Sequence, residues 1–358
     1  MTTNGPPIKE FAKEGKPRRG DDSPRGFTYF TPQKRRATLY EEVTVDTQPS
    51  IHRHMDRGYP LHFADGRPMY WNSSTSLEVG DWYDFRDPGA QWERPFYQKG
   101  TAAEHQIESA VSVAAADHLF EDFSPEWVEF LREHLQTPAF CEQGLWLALA
   151  TTARDCLSDT VAMCVILQAS MKQRLAQAIV LYAMDLEAHF GEMPIAPSKQ
   201  RFLTDPMWQP TREYVERLRT VTDWGEMIVA CNLCFEPVVG VLYRRELGIR
   251  AARLNGDSVT PVIAHGGQVE WGWARSWSAE FTRFVLEDEA HGADNRERVA
   301  GWLDAWMPRA HDAAQALAPL ADRVPTGISF DECSQRVERD VRLFHEEAGV
   351  AELTGVRA

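Results

Sequence analysis

The chain has 358 residues and a formal net charge of −15, long enough to bury a large core without disulfides or metal and, by length alone, to make two domains. So acidic a balance argues against nucleic acid or an anionic membrane surface as the main partner. The six cysteines (Cys141, Cys156, Cys164, Cys231, Cys234 and Cys333) lack framework spacing, and no apolar leader or uninterrupted apolar span is present, which predicts reduced thiols in a soluble, cytoplasmic protein.

Residues 1–36 carry nine Lys/Arg against four Asp/Glu and five prolines. Such a segment buries little and is expected to be irregular. Residues 37–100 still lack helical periodicity but become rich in aromatics, above all in Trp82-Tyr83-Asp84-Phe85-Arg86-Asp87-Pro88 and Trp92-Glu93-Arg94-Pro95-Phe96-Tyr97. An irregular stretch of this length suits wrapping over a large surface, its own or a partner's. Many of the twelve tryptophans, such as Trp71, Trp82, Trp92, Trp208, Trp271 and Trp273, sit in polar contexts. They serve either as interface residues or as satellite cores under long loops.

From residue 101 the pattern is helical nearly to the end. Ser124-Pro125-Glu126 has an N-cap, a proline for the first turn and an acid behind it. Apolar runs follow over 139–190, closed by Gly191 and Pro194, and over 211–252, stopping near Asn255-Gly256-Asp257. Further runs cover 260–289 and 294–321, and a last helix follows Ser329. Alternating β-branched runs are missing, so the fold class is all-α, with the most apolar helices at the centre of a bundle.

Long buried helices suggest a carboxylate-bridged dimetal site, which needs Glu-x-x-His on two helices so that both ligands share a face. No Glu-x-x-His occurs. The nearest pattern, Asp288-Glu289-Ala290-His291, occurs once and reads as an exposed acidic helix end with Glu287. His52, His54 and His62 lie in the irregular segment without a nearby Cys and read as polar surface or interface residues rather than zinc ligands. Cys231-Asn232-Leu233-Cys234 stands alone in a helical run, where packed thiols are expected. Gly266-Gly267 marks a kink or a close helix contact, and no Gly-x-Ser-x-Gly elbow is present. What remains are charges inside apolar helices: Arg154, Asp155, Asp159, Lys172, Arg174 and Glu236. Glu236 lies in the most apolar context and is read as a buried carboxylate in a structural ion pair rather than a catalyst.

The segment from Trp82 to Tyr97 resembles the small (beta) subunit of the hydroxylase component of bacterial multicomponent soluble diiron monooxygenases. The similarity extends over most of the chain, through the basic tail, the aromatic segment, the long helices and the late Asn295-Arg296, Trp302 and Trp306. Length and tail are most like the propane 2-monooxygenase type. The resemblance implies a ferritin-like helical bundle over 101–358 without metal ligands, preceded by a long irregular N-terminal extension over 1–100 that wraps partner subunits. Gln168–Gln177 resembles the large subunit's first Glu-x-x-His segment, with Lys172 in place of the Glu and Leu175 in place of the His. No catalytic, cofactor-binding or metal residue is therefore carried over.

By the same resemblance, the diiron centre belongs to a partner large (alpha) subunit in an α2β2 core that hydroxylates a small, propane-like hydrocarbon with O2. NADH-derived electrons arrive through a reductase with FAD and an iron–sulfur cluster, and a coupling protein assists. Trp82, Phe85, Trp92 and Tyr97 are the expected interface anchors, worth roughly 1.5–3 kcal/mol each on burial. Lys172 is expected to fill the vacated metal position and neutralise Glu236 or Asp155. Two other readings stand beside this one: an autonomous ferritin-like metalloenzyme with unusual ligands, and a helical scaffold unrelated to oxygenases.

Overall fold

The computed structural model describes residues 32–34, 36–45, 75–156 and 158–353. His52, His54, His62, Trp71 and almost all of the basic tail lie outside them. The described residues contain helices and no strand. A short helix α1 (Leu39–Thr44) comes first. Then follow α2 (Glu93–Ala116), α3 (Pro125–His134), α4 (Thr137–Ala153), α5 (Asp159–Phe190), α6 (Ile195–Thr204) and α7 (Gln209–Leu218). Next come α8 (Trp224–Leu254), α9 (Thr260–Leu286), α10 (Gly292–Ala316), α11 (Ala318–Asp322) and α12 (Phe330–Glu347).

Local chemistry sets most boundaries. Ser124 accepts from the Trp127 N–H at 3.1 Å and opens α3 as its pattern requires. Gly191, at φ +77°, ends α5 in a conformation that residues with a Cβ rarely adopt. Asp223 accepts the Gly225 and Glu226 N–H groups and starts α8. Asp257 does the same for Val259 and Thr260 ahead of α9, and its other oxygen accepts from Trp127 Nε1 at 3.1 Å.

Two predicted runs are each split in the structure. The run 139–190 breaks at 154–158 into α4 and α5, and 211–252 breaks at 219–223 into α7 and α8. Each break is a polar turn inside an apolar context, which hydrophobic content alone does not show. Helix α2 also begins at Glu93, where the sequence reading leaves the chain irregular to residue 100. Pro95 belongs to its first turn, where a missing N–H is harmless.

The core is a four-helix arrangement: the hairpin α4–α5 packs against the hairpin α8–α9. Helices α10 and α12 cover α8 from outside, while α6 and α7 cover α4. Helix α8 is long and apolar enough to cross a membrane, yet 94% of its most apolar stretch is buried inside the protein, so it is the central core helix. Between Val229 and Ala251 its ladder widens to π-type turns, an uncommon geometry that is frequent at functional sites. Pro237 lies within this stretch.

Residues 75–92 run over the outside of their own bundle. Thr75 and Ser76 donate to Asp223, Glu78 exchanges hydrogen bonds with Asn295, and the Gly80 N–H donates to Asp288. The Asp87 N–H donates to the Tyr40 hydroxyl, and Trp273 Nε1 donates back to Asp87 at 2.9 Å. Arg86 pairs with Glu41. Trp82 rests on Trp224, Phe281 and Phe284, and Phe85 is 1% exposed among the same rings.

Candidate functional site, a closed charge ring in the bundle

Four charged side chains from three core helices meet at the centre. Lys172 is carried by α5, Glu142 by α4, and Glu236 and Arg244 by the widened part of α8. Lys172 Nζ is 2.6 Å from Glu236 Oε1 and 3.2 Å from Glu142 Oε2. Arg244 Nη2 donates to Glu236 Oε2 at 2.6 Å, and its Nη1 donates to Glu142 Oε1 at 3.0 Å. Each carboxylate therefore bridges both cations, and the ring is closed and formally neutral. The Tyr243 hydroxyl adds a hydrogen bond to Glu142 and accepts one from Arg244 at 3.1 Å.

All four charged groups are buried. Burial alone raises the Glu236 carboxyl, but Arg244 and Lys172 beside it hold it below its ordinary value, so it is ionised. Burial lowers the Arg244 guanidinium, and Glu236, Tyr243 and Glu142 more than reverse that. The Tyr243 phenol is raised, first by burial and then by Glu142. Burial likewise pushes the Cys141 and Cys231 thiols up, so these neighbours are inert.

The local sequence makes room for this. A Cβ at Gly240 would lie 2.7 Å from Arg244 Nη2 and 2.8 Å from Glu236 Oε2; only glycine lets the guanidinium fold back along the helix. At Gly267 of α9 a Cβ would lie 2.7 Å from Leu175 Cδ2 and 3.1 Å from Arg244 Cδ, which makes Gly267 the close helix contact. A second network joins α5, α8 and α9: Gln168 and Asn232 exchange amide hydrogen bonds at 2.7 and 2.9 Å, and Asn232 donates to Ser278 at 2.9 Å. These buried, satisfied amides fix the register of the three helices.

The ring does not fit a metal. Its two carboxylates are saturated by cations, and Leu175, three residues after Lys172 on the same helix face, offers only an alkyl group. Among the described residues no group of three or more His, Cys, Asp or Glu could hold an ion.

Of the singled-out charges, Lys172 and Glu236 meet here. Asp155 does not: it sits just past the end of α4 and pairs with Arg154. Arg174 pairs instead with Glu270 of α9. The reading missed Glu142, Arg244 and Tyr243, although the first two carry the same signal, a charge inside an apolar run. Cys231 and Cys234 are buried free thiols. Asp288 caps a turn by accepting the Ala290 and His291 N–H groups.

The aromatic candidates separate. Phe85 is core of its own chain, so it has no face to offer a partner, and Trp82 is half-buried against the same rings. Trp92 is half-buried ahead of α2, and Tyr97 is 67% exposed. Trp208 and Trp271 are core residues.

Comparison with known proteins agrees with this architecture. The profile of the Methane/Phenol/Alkene Hydroxylase family matches residues 60–289. The propane 2-monooxygenase hydroxylase small subunit of Rhodococcus jostii (strain RHA1) is 35% identical over 318 residues, covering 87% of this chain and 86% of that one. The methane monooxygenase component A beta chain of Methylosinus trichosporium is 29% identical over 85% of this chain and 78% of its own length. In fold, the chain superposes with a TM-score of 0.70 on a chain from toluene 4-monooxygenase solved with toluene in its resting active site, at 20% identity, covering 79% of this chain and 93% of that one. With the profile match and these relatives, the chain belongs to the methane/phenol/alkene hydroxylase family.

Proposed function

We propose that this chain is the non-catalytic small subunit of a hydroxylase complex that oxidises a small, propane-like hydrocarbon with O2. The observation that carries this is the charge ring: Lys172 and Arg244 occupy the centre of a bundle whose relatives form monooxygenase hydroxylases. An ammonium and a guanidinium there leave no group in the ring free to ligate a metal, activate O2 or abstract a substrate proton. The chain supplies structure. Its partner is a large subunit that holds the diiron centre, in an α2β2 core fed with NADH-derived electrons by a reductase containing FAD and an iron–sulfur cluster, with a coupling protein. In that assembly the chain ahead of α2 acts as extension, and α2 onward as bundle.

The docking face we assign is the outside of α5. Ile166, Ser170, Gln173, Gln177, Leu181 and Met184 recur at three- and four-residue spacing and are all uncharged. Leu181 and Met184 are each 60% exposed. On a chain of charge −15, a helix face depleted of charge suits the buried part of an interface. Tyr97 and Val269, exposed on the neighbouring α2 and α9, extend it, with Trp92 at the start of α2.

Co-expression with a large subunit of such a hydroxylase tests this. Wild-type chain is expected to co-elute with that subunit. A Leu181→Glu/Met184→Glu chain is expected to elute alone while its own unfolding midpoint moves little, as for surface substitutions within about 0.5 kcal/mol each. Intact co-elution of the double variant would remove α5 as the docking face; failure of the wild type to co-elute would remove the subunit assignment itself.

A further inference from the structure

Next to the charge ring, between α3, α5, α8 and α9, lies a cavity of about 90 Å³. Its walls are largely hydrocarbon: Phe130, Leu175, Ile179, Leu247, Ile263 and Ala264. Arg244 borders it at the ring end, with Tyr243, Trp127, His134 and Thr260 as its other polar neighbours; Tyr243 and Trp127 already donate to Glu142 and Asp257. His134 contributes no charge at neutral pH, because burial and then Arg201 and Arg323 lower its imidazole to about 4. Phe130, Leu135, Pro138 and Gly248 on the wall are half-buried, so the cavity reaches towards the surface.

The cavity is held open by its frame. Helices α8 and α9 already touch at its edge, where a Cβ on Gly248 would lie 2.8 Å from the Ala264 Cβ, so the walls cannot close further there. Leu175, on the same face as Lys172, is too short and apolar to fill the space with a donor group. Water is a poor occupant of such a place, since a buried water needs two to four polar partners, whereas apolar cavities of roughly 150 Å³ stay dry and take up benzene or xenon.

We propose that this cavity is a binding site for one small apolar molecule, a gas atom or a hydrocarbon of a few carbons, held by this chain independently of the catalytic centre of any partner. Its size selects against aromatic rings with substituents, and its walls select against anything charged. The site does not depend on the subunit assignment above, since every wall residue belongs to this chain.

Xenon is the probe. Crystals of the co-purified complex pressurised with xenon are expected to show an anomalous peak between Ile179, Leu247 and Ala264. In Ala264→Leu crystals that peak is expected to fall several-fold while xenon peaks elsewhere keep their height. Should Ala264→Leu fail to fold, Ile179→Phe fills the cavity from α5, and the same loss is expected. Xenon loading other cavities but not this one would overturn the proposal. So would an ordered water in the wild-type cavity bonded to Arg244 Nε, which has no partner among the described residues.

Discussion

A methyl group on residue 240 has nowhere to go but into the ion pair that Arg244 makes with Glu236. Gly240→Ala therefore pushes the guanidinium away from both carboxylates, although alanine favours helix. Separating a buried ion pair without removing it is expected to destabilise by about 2–4 kcal/mol, read as a lower urea midpoint. A midpoint at or above wild type would mean that the ring tolerates displacement. Lys172→Met removes one cation and leaves two carboxylates sharing Arg244. A loss of about 3–5 kcal/mol is expected, and Lys172→Met/Glu236→Gln should recover part of it, because the uncompensated charge rather than the lost bond is the penalty. A double variant worse than the sum of both singles would contradict that account. At this scale the sequence was half legible. Lys172 and Glu236 stand out as charges among apolar neighbours, and Glu142 and Arg244 carry the same mark. Asp155 carried the same signal and belongs elsewhere, because one turn at 154–158, invisible in hydrophobic content, takes it out of the core.

Among the elements, the segment 75–92 shows how a correct composition reading leaves a choice open. Aromatics in an irregular stretch fit wrapping a partner or wrapping oneself; Trp82 and Phe85 pack on Trp224, Phe281 and Phe284 of their own bundle, and Trp82 keeps an exposed part besides. Trp82→Ala is accordingly expected to lower the chain's own stability by about 2–4 kcal/mol. An unchanged unfolding midpoint with loss of partner binding would restore Trp82 as an interface anchor. Helix α3 makes a pH prediction. His134 is buried beside Arg201 and Arg323, with Asp205 acting in the opposite direction and Glu133 3.3 Å away. Its folded pKa of about 4 lies below the ordinary value of 6.5, so between those values the unfolded chain binds a proton that the folded chain refuses. The contribution is complete above about pH 6.5 and is lost as pH falls toward 4, by at most about 1.36 kcal/mol per pH unit. His134→Gln should flatten that part of the stability–pH curve by roughly 3 kcal/mol in total. Parallel curves for the two proteins would show that His134 is not held neutral. Glu236 acts in the same direction at lower pH: its depressed carboxyl supports the fold above the ordinary carboxylate range and loses that support as the pH drops through its lowered value.

For the molecule as a whole, the all-α class was legible because the apolar runs are long and lack alternation, and the absence of Glu-x-x-His was legible because it is a strict spacing rule. The widened ladder of α8 was not, since no residue pattern in 229–251 marks π-type turns. We propose that two side-chain cations at the centre of this bundle leave it without metal, and that the iron belongs to a partner subunit. Iron per chain tests it most directly. The chain purified alone should contain no stoichiometric iron, and the complex with its large subunit should contain about two irons per pair, as a dimetal carboxylate centre requires. Stoichiometric iron in the isolated chain would contradict the account and make this bundle a metalloenzyme in its own right.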